Sequence, residues 1–137
     1  MILVKWDESF LVNVDEIDQQ HQKLVGIVNN LAAAMSEGQG KSVLGEIIDE
    51  LVNYTVVHFR TEERILKIVN YPEFSGHQKE HADFVQKVSD FQKGFARGQL
   101  GLTVEVMNFL CDWVRIHIKK NDKKYAQFLD THGLRTS

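Results

Sequence analysis

Apolar residues recur at spacings of three and four in four segments of the chain, which is the pattern of the buried face of an amphipathic helix. Each of the four stripes also carries ligand-type side chains where apolar residues are expected, and five of the chain's six histidines lie there. The stripes are Ile17, His21, Leu24, Val28, Leu31 and Met35; Ile47, Leu51, Tyr54, His58, Glu62 and Ile65; Phe74, His77, His81, Phe84, Val88, Phe91 and Phe95; and Val106, Leu110, Trp113 and His117. The sixth histidine, His132, lies in a polar tail and is predicted to be exposed.

The four helical stripes predict an all-α fold, and the breaks between them predict where each helix begins and ends. Residues 1–14 lack helical periodicity and are predicted to pack as an extended arm, with Asp15 as the N-cap of the first helix. The predicted helices span residues 15 to about 37, 41–69, 73–96 and 103–120, with a short helical tail at about 122–130. Short connections favour antiparallel neighbours. We therefore predict an antiparallel up-down-up-down four-helix bundle with an extended N-terminal arm and a short C-terminal helix, forming a single domain over residues 1–137.

Composition excludes several classes of function. The chain is 43% hydrophobic and 26% charged, with a net charge of −3, so no electrostatic feature favours nucleic acid or an anionic membrane as a partner. No apolar run approaches the roughly 18 residues of a membrane span, and the first residues lack the apolar core of a signal peptide. We expect a cytoplasmic monomer.

The ligand-type residues on the stripes predict a metal centre. Imidazoles and carboxylates are costly to bury unless a partner satisfies them. Residues four apart project from one helix face, as do His58 with Glu62 and His77 with His81. His21 and His117 add imidazoles from the other two helices. Because imidazole suits iron, copper and zinc, and a carboxylate can bridge two ions, this set predicts two metals inside the bundle.

A second bridging carboxylate is harder to assign. Asp122 lies five residues after His117, so on a regular helix it points about 140° away at about 100° per residue. Asn121 is better aligned, but it is neutral and a poor bridging anion. Asp122 can join the centre only if the helix loosens there, through a π-type turn or a helix end.

Three other interpretations are available. The polar core could bind nothing, but it would then bury five imidazoles without a metal. The segment from His77 to His81 matches the H-x-x-E-H signature of zinc peptidases, with Glu80 as general base, although Glu80 lies about 100° from the histidine face. A ferritin-like di-iron oxidase would use a carboxylate-rich site with Glu-x-x-His pairs, and these stripes lack such pairs.

The motifs resemble those of the hemerythrin family, specifically its bacterial branch. They are Asp18-x-x-His21, His58-Phe-x-x-Glu62-Glu63, His77-x-x-x-His81 and Trp113-x-x-x-His117-Ile118-x-x-x-Asp122-x-x-Tyr125. The likeness covers nearly the whole chain, from Trp6 to Tyr125. It implies a four-helix bundle whose non-haem di-iron centre binds dioxygen reversibly.

The resemblance also implies a role for each ligand. His77, His81 and His117 would hold one iron, and His21 and His58 the other. Glu62 and Asp122 would bridge the two irons together with a solvent-derived hydroxide or oxide, so the resemblance favours Asp122 over Asn121. The second iron would keep a vacant position, and dioxygen would bind there.

Four further residues are assigned to the surroundings of the cofactor: Trp113, Val114, Ile118 and Tyr125. Trp113 and Val114 lie one turn before His117 and are predicted to control the oxygen pocket. Relatives often carry leucine at the position of Val114, so the smaller side chain predicts a roomier approach to the iron. Tyr125 is expected to hydrogen-bond a bridging carboxylate. The expected function is oxygen storage, delivery or sensing rather than catalysis; the alternatives are a di-iron oxidase or peroxidase-like enzyme and an iron-handling protein.

Overall fold

The computed structural model of the protein describes residues 4–131, and His132 lies outside them. Its elements are a short 3₁₀ turn at Glu8–Phe10, α1 (Asp15–Ser36), α2 (Gly40–Ile68), α3 (Phe74–Ala96), α4 (Leu102–Asp112), a π-helical segment (Trp113–Asp122) and α5 (Lys123–Thr131). α1 and α3 each pack against α2 and α4. The predicted all-α four-helix bundle is confirmed.

The connections form where the backbone leaves the helical region. Gly38 and Gly101 adopt the left-handed conformation, at φ values of 73° and 75°, between α1 and α2 and immediately before α4. Asn70 does the same after α2, at φ 56°, ahead of Pro72. Glycine tolerates this conformation because it lacks a Cβ atom, and asparagine tolerates it better than most residues. The helix ends at these connections therefore lie close to their predicted positions. The predicted end of the fourth helix near residue 120 is wrong, because helical structure continues from Leu102 through the π-helical segment to Thr131.

The N-terminal arm is held against the bundle by side chains. The Val4 backbone and the Asn29 side chain exchange two hydrogen bonds, of 2.8 and 2.7 Å. The rings of Trp6 and Phe10 stack at 5.0 Å, and Phe10 is 2% exposed. Within residues 4–14 the arm is extended as predicted, apart from the 3₁₀ turn that inserts Phe10 into the core.

The predicted N-cap of α1 is wrong. Val14 occupies the cap position without a side-chain hydrogen bond, and Asp15 is the first helical residue. The backbone N–H of Asp18 donates the first helical hydrogen bond to the Val14 carbonyl, at 2.9 Å, which makes Val14 the cap residue. The Asp18 side chain accepts hydrogen bonds from the backbone N–H groups of Val12 and Asn13, at 2.8 and 3.1 Å. Asp18 therefore fastens the end of the arm to α1.

Within residues 4–131, the core consists of two apolar clusters. The larger includes Leu24, Leu51 and Leu110, and the smaller includes Ile17 and Leu66. Along each stripe the ligand-type residues lie between members of the two clusters, so we call His21, His58, Glu62, His77, His81, His117 and Asp122 the polar layer.

One stripe residue is exposed, and four others are half-buried: Met35, Ile65, Phe74 and Trp113. Phe95 is 46% exposed because it lies in the last turn of α3, where its ring covers Gly45 of α2. Among the described residues, no helix is long and apolar enough to cross a membrane.

Candidate metal centre

All seven residues predicted as metal ligands lie in the polar layer, and each is at most 6% exposed. Their ligand atoms form two groups, within each of which the atoms lie within 4.8 Å of one another. The first, which we call the three-histidine half, contains Glu62, His77, His81 and His117. The second, the two-histidine half, contains His21, His58, Glu62 and Asp122. Glu62 belongs to both.

Glu62 directs one carboxylate oxygen to each half. Its Oε1 lies 2.9 Å from the Nε2 of His81 and contacts the Nε2 of His77. Its Oε2 lies 3.2 Å from the Nε2 of His58 and 3.7 Å from that of His21. A carboxylate in this position can bridge two ions.

Asp122 divides its oxygens in the same way. Its Oδ1 lies 3.1 Å from the Nε2 of His117 and 3.3 Å from that of His77, in the three-histidine half. Its Oδ2 lies 3.1 Å from the Nε2 of His21, in the two-histidine half. Both carboxylates therefore span the two groups of imidazoles.

The π-helical segment explains how Asp122 reaches the centre. In a π-helix each turn closes with an i→i+5 hydrogen bond, so residues five apart share a face. Trp113–Asp122 has this geometry, and His117 and Asp122 consequently both point into the bundle. The loosening of the helix that Asp122 requires is present, whereas Asn121 points outward and donates a hydrogen bond to Glu80.

Unpartnered polar atoms test whether the layer fits a cation. Among the described residues, several buried side-chain atoms of the layer have no hydrogen-bond partner: Nδ1 and Nε2 of His21, Nε2 of His81 and His117, and both oxygens of Asp122. Buried polar atoms are nearly always hydrogen-bonded. Nitrogens and oxygens that converge without hydrogen-bond geometry, at one point of the core, fit metal ions held between them.

When no metal is bound, electrostatics favours anionic carboxylates and protonated His21 and His117, whereas burial lowers the pKa of His58. Burial disfavours the charged form of Glu62, but His58 and His21 outweigh it and lower the pKa of Glu62 well below its usual range. Burial also opposes protonation of His21 and His117, but Asp122 outweighs it and raises their pKa values from about 6.5 to about 9 and about 10. Metal ions entering the layer would displace these protons.

Three residues outside the layer contact its imidazoles through Nδ1, and we call them the supporting residues. Gln20 contacts His58 at 2.7 Å, Glu63 contacts His81 at 2.9 Å and Glu80 contacts His117 at 2.6 Å. Glu63 belongs to the motif that begins at His58, whereas Gln20 was not singled out from the sequence. Each of the three directly precedes or follows a residue of the layer in sequence, and this adjacency was the available signal.

Glu80 also bears on the zinc-peptidase interpretation. Its two carboxylate oxygens accept hydrogen bonds from His117 Nδ1 and from the Asn121 amide. It therefore lies behind the imidazole of His117, on the side away from the Nε2 atoms. This is the position of an orienting residue, and it gives the general-base interpretation no support.

Aromatic rings stack against three of the imidazoles. Trp113 stacks on His117 with ring centroids 3.8 Å apart, Phe59 stacks on His81 at 3.9 Å, and Tyr54 stacks on His58 at 5.0 Å. Val114 and Ile118, each 1% exposed, belong to the larger apolar cluster. Tyr125 donates a 2.9 Å hydrogen bond to Glu62 Oε2, as expected for a bridging carboxylate. Phe59 belongs to the motif that begins at His58, but no role was predicted for it from the sequence.

A surface groove between α2 and α3 extends to the polar layer. It has a volume of about 790 Å³ and is lined in part by Val56, Val85, Phe59 and His81. It reaches the outer side of the three-histidine half. The approach predicted beside Val114 is a different one. It would lead to the two-histidine half, and it stays a prediction.

A four-helix bundle with a buried histidine-rich layer, in which two carboxylates each face both halves, is typical of one class of metal-binding proteins. Comparison with known proteins narrows this class further. Residues 12–129 match the sequence model of the hemerythrin HHE cation binding domain. The chain therefore belongs to the hemerythrin family.

Individual relatives agree with this assignment. The chain is 32% identical over 132 residues to the bacteriohemerythrin of Stenotrophomonas maltophilia (strain R551-3), covering 96% of this chain and 85% of that protein. It is 34% identical over 130 residues to the bacteriohemerythrin of Methylococcus capsulatus, covering 94% and 98%. A crystal structure of wild-type hemerythrin superposes with a TM-score of 0.80 at 32% identity, covering 91% of this chain and 96% of that one.

Proposed function

We propose that the protein binds dioxygen reversibly at a di-iron centre in the polar layer, for oxygen storage, delivery or sensing. His77, His81 and His117 would hold one iron and His21 and His58 the other, with Glu62 and Asp122 bridging. The observation that carries the proposal is the division of each carboxylate between the two halves. When bound, the irons would supply electrons that pass to dioxygen and return on its release.

The inequality of the halves favours ligand binding on one side. Three imidazoles and two carboxylate oxygens face one half, and two imidazoles and two carboxylate oxygens face the other. With a shared solvent-derived hydroxide or oxide, the three-histidine half completes six donors, whereas the two-histidine half has five. The open position would lie beside His21 and His58.

The surrounding residues hold the bridging carboxylates and limit access by water. Tyr125, which is fully buried, donates to Glu62 and fixes that carboxylate. Stacked aromatic rings cover the imidazoles, and Val114 and Ile118 close the layer on the side of the larger apolar cluster. A dry environment penalises changes in net charge, which favours a reversible cycle over a net oxidation.

The types of ligand side chain in the layer favour oxygen binding over the enzymatic alternative. Five imidazoles and two carboxylates make the layer histidine-rich, whereas ferritin-like oxidases use carboxylate-rich sites. Histidine-rich ligation favours binding oxygen over activating it, so we propose a binding protein rather than an oxidase.

Anaerobic reconstitution with ferrous iron, followed by air and then nitrogen, tests this function. We expect visible absorbance that appears in air and disappears under nitrogen over repeated cycles. The variant Glu16→Gln, which changes an exposed carboxylate on α1, is the matched control and should behave like the unaltered protein. Irreversible oxidation with turnover of a reductant would indicate an enzyme and contradict the proposal.

A further inference from the structure

The two halves of the centre differ in the charge of their supporting residues. In the three-histidine half, the Nδ1–H groups of His81 and His117 donate to carboxylates, those of Glu63 and Glu80. In the two-histidine half, the Nδ1–H of His58 donates to the neutral amide oxygen of Gln20. The Nδ1 of His21 has no hydrogen-bond partner among the described residues.

Each supporting residue is itself held in place. Glu63 accepts a 3.1 Å hydrogen bond from Gln78, and Glu80 accepts a 2.9 Å bond from Asn121. Gln20 donates to Thr61 at 3.3 Å. In every case the supporting residue and its imidazole lie on different helices, so the contacts fix the orientation of the rings across helix interfaces.

The chemical consequence depends on the charge. A hydrogen bond from Nδ1–H leaves Nε2 unprotonated and directed at the metal, and a carboxylate acceptor also makes the imidazole a more basic ligand. An amide acceptor fixes the same tautomer without adding negative charge. Among the described residues, two anions therefore hydrogen-bond imidazoles of one half, and none hydrogen-bonds an Nδ1–H of the other, where Asp18 acts on His21 only through its charge.

We propose that Glu63 and Glu80 are positioning residues that make the three-histidine half the tighter metal site, so that it fills first, while the neutral Gln20 keeps the two-histidine half weaker. The inference rests on the proposed two-metal centre. The third imidazole also favours that half, so the test changes only supporting residues.

Titration of the metal-free, ¹⁵N-histidine-labelled protein with Zn²⁺ reads this order residue by residue. We expect the first equivalent to shift the Nε2 resonances of His77, His81 and His117, and the second to shift those of His21 and His58. In Glu63→Gln and Glu80→Gln, we expect affinity for the first equivalent to fall by about 10–100-fold for each substitution. The Nδ1–H proton of the affected histidine should also lose its low-field shift, which a merely structural role would not produce.

The reciprocal variant keeps the test independent of any loss of folding. Gln20→Glu adds the missing anion behind His58, and we expect tighter uptake of the second equivalent, a gain that unfolding cannot produce. Glu63 and Glu80 are partly exposed, with side chains 25% and 39% accessible, so glutamine should be accommodated. The variant Glu16→Gln removes an exposed carboxylate and should leave both affinities unchanged.

Two results would overturn the proposal, and they are distinguishable. If the Glu63→Gln, Glu80→Gln double variant and Gln20→Glu keep the original order and affinities, the supporting charges do not set the preference, although the two-metal centre stands. If the unaltered protein takes up only one zinc, the two-metal centre is wrong and this inference fails with it.

Discussion

The polar layer and the apolar clusters beside it are equally buried but need different partners. Leu24, Leu51 and Leu110 in the larger cluster and His21 and Glu62 in the layer are all 0% exposed. The leucines are stabilised by removal from water, at about 25 cal/mol per Å² of apolar surface. The imidazoles and carboxylates lose hydration and need a charge or hydrogen bond in return. Identical helical periodicity thus produces two regions, of which only the layer needs such compensation for its lost hydration.

This difference predicts that the two regions fail in different ways. Damage to an apolar cluster should lower the free energy of unfolding whether or not metal is bound. Damage to the layer should act through metal binding, because metal affinity and folding are coupled at such sites.

The largest expected effect is that of Glu62→Ala. Since Glu62 contributes an oxygen to each half, the variant should lose both metals, as measured by metal analysis of the reconstituted protein. His21→Ala is the comparison variant and should mainly weaken the two-histidine half. A Glu62→Ala protein that retains two irons and normal oxygen binding would show that the bridging assignment is wrong.

Leu31→Ala should damage the larger apolar cluster and leave the polar layer intact. Leu31 is 0% exposed in the larger cluster, and a leucine-to-alanine change in a core costs about 2–5 kcal/mol. Urea unfolding should show a similar loss in the metal-free and metal-loaded protein, with metal content per folded chain unchanged. Loss of metal from the folded variant would mean that the two regions are not separable.

The pH dependence of stability in the metal-free protein should further distinguish the polar layer from the apolar clusters. Asp122 raises the pKa values of His21 and His117 to about 9 and about 10, against the opposing effect of burial. Because these folded-state pKa values lie above the ordinary value of about 6.5, the stability they contribute is complete below about pH 6.5. It is lost as pH rises through 9 to 10.

Unfolding measurements between pH 6 and 10 check this expectation. The metal-free protein should become less stable across the range, whereas the metal-loaded protein should not show this loss, since metals then replace the protons. Equal pH profiles for the two forms would contradict it.

The smallest expected effect is that of Val114→Leu at the boundary between layer and cluster. Val114 is 1% exposed, so an added methylene should cost about 1–3 kcal/mol of packing. It should also slow autoxidation and the entry of azide, which stopped-flow absorbance measures. Unchanged rates with intact iron content would show that Val114 faces elsewhere and that access follows another path.

Much of the bundle and the ligand set could be predicted because a helical stripe reports burial directly. Asp122 could not be placed from spacing alone, since the register of a helix changes at a π-helical segment that periodicity assumes to be absent. Its assignment came from the resemblance. Gln20 was missed, and Glu80 was considered only as a general base, because both lie off the stripes. Their contacts with imidazoles form only when a neighbouring helix packs against them. Asp15 was misassigned because the Val14 carbonyl, one residue earlier, accepts the first helical hydrogen bond.

The central claim, that four stripes build one dinuclear centre, is tested most directly by the metal content of the protein after anaerobic reconstitution with ferrous iron. The account predicts close to two irons per chain, and loss of the oxygen-dependent absorbance when either half is damaged, by His21→Ala or by His81→Ala. One zinc per chain with no uptake of iron would contradict it.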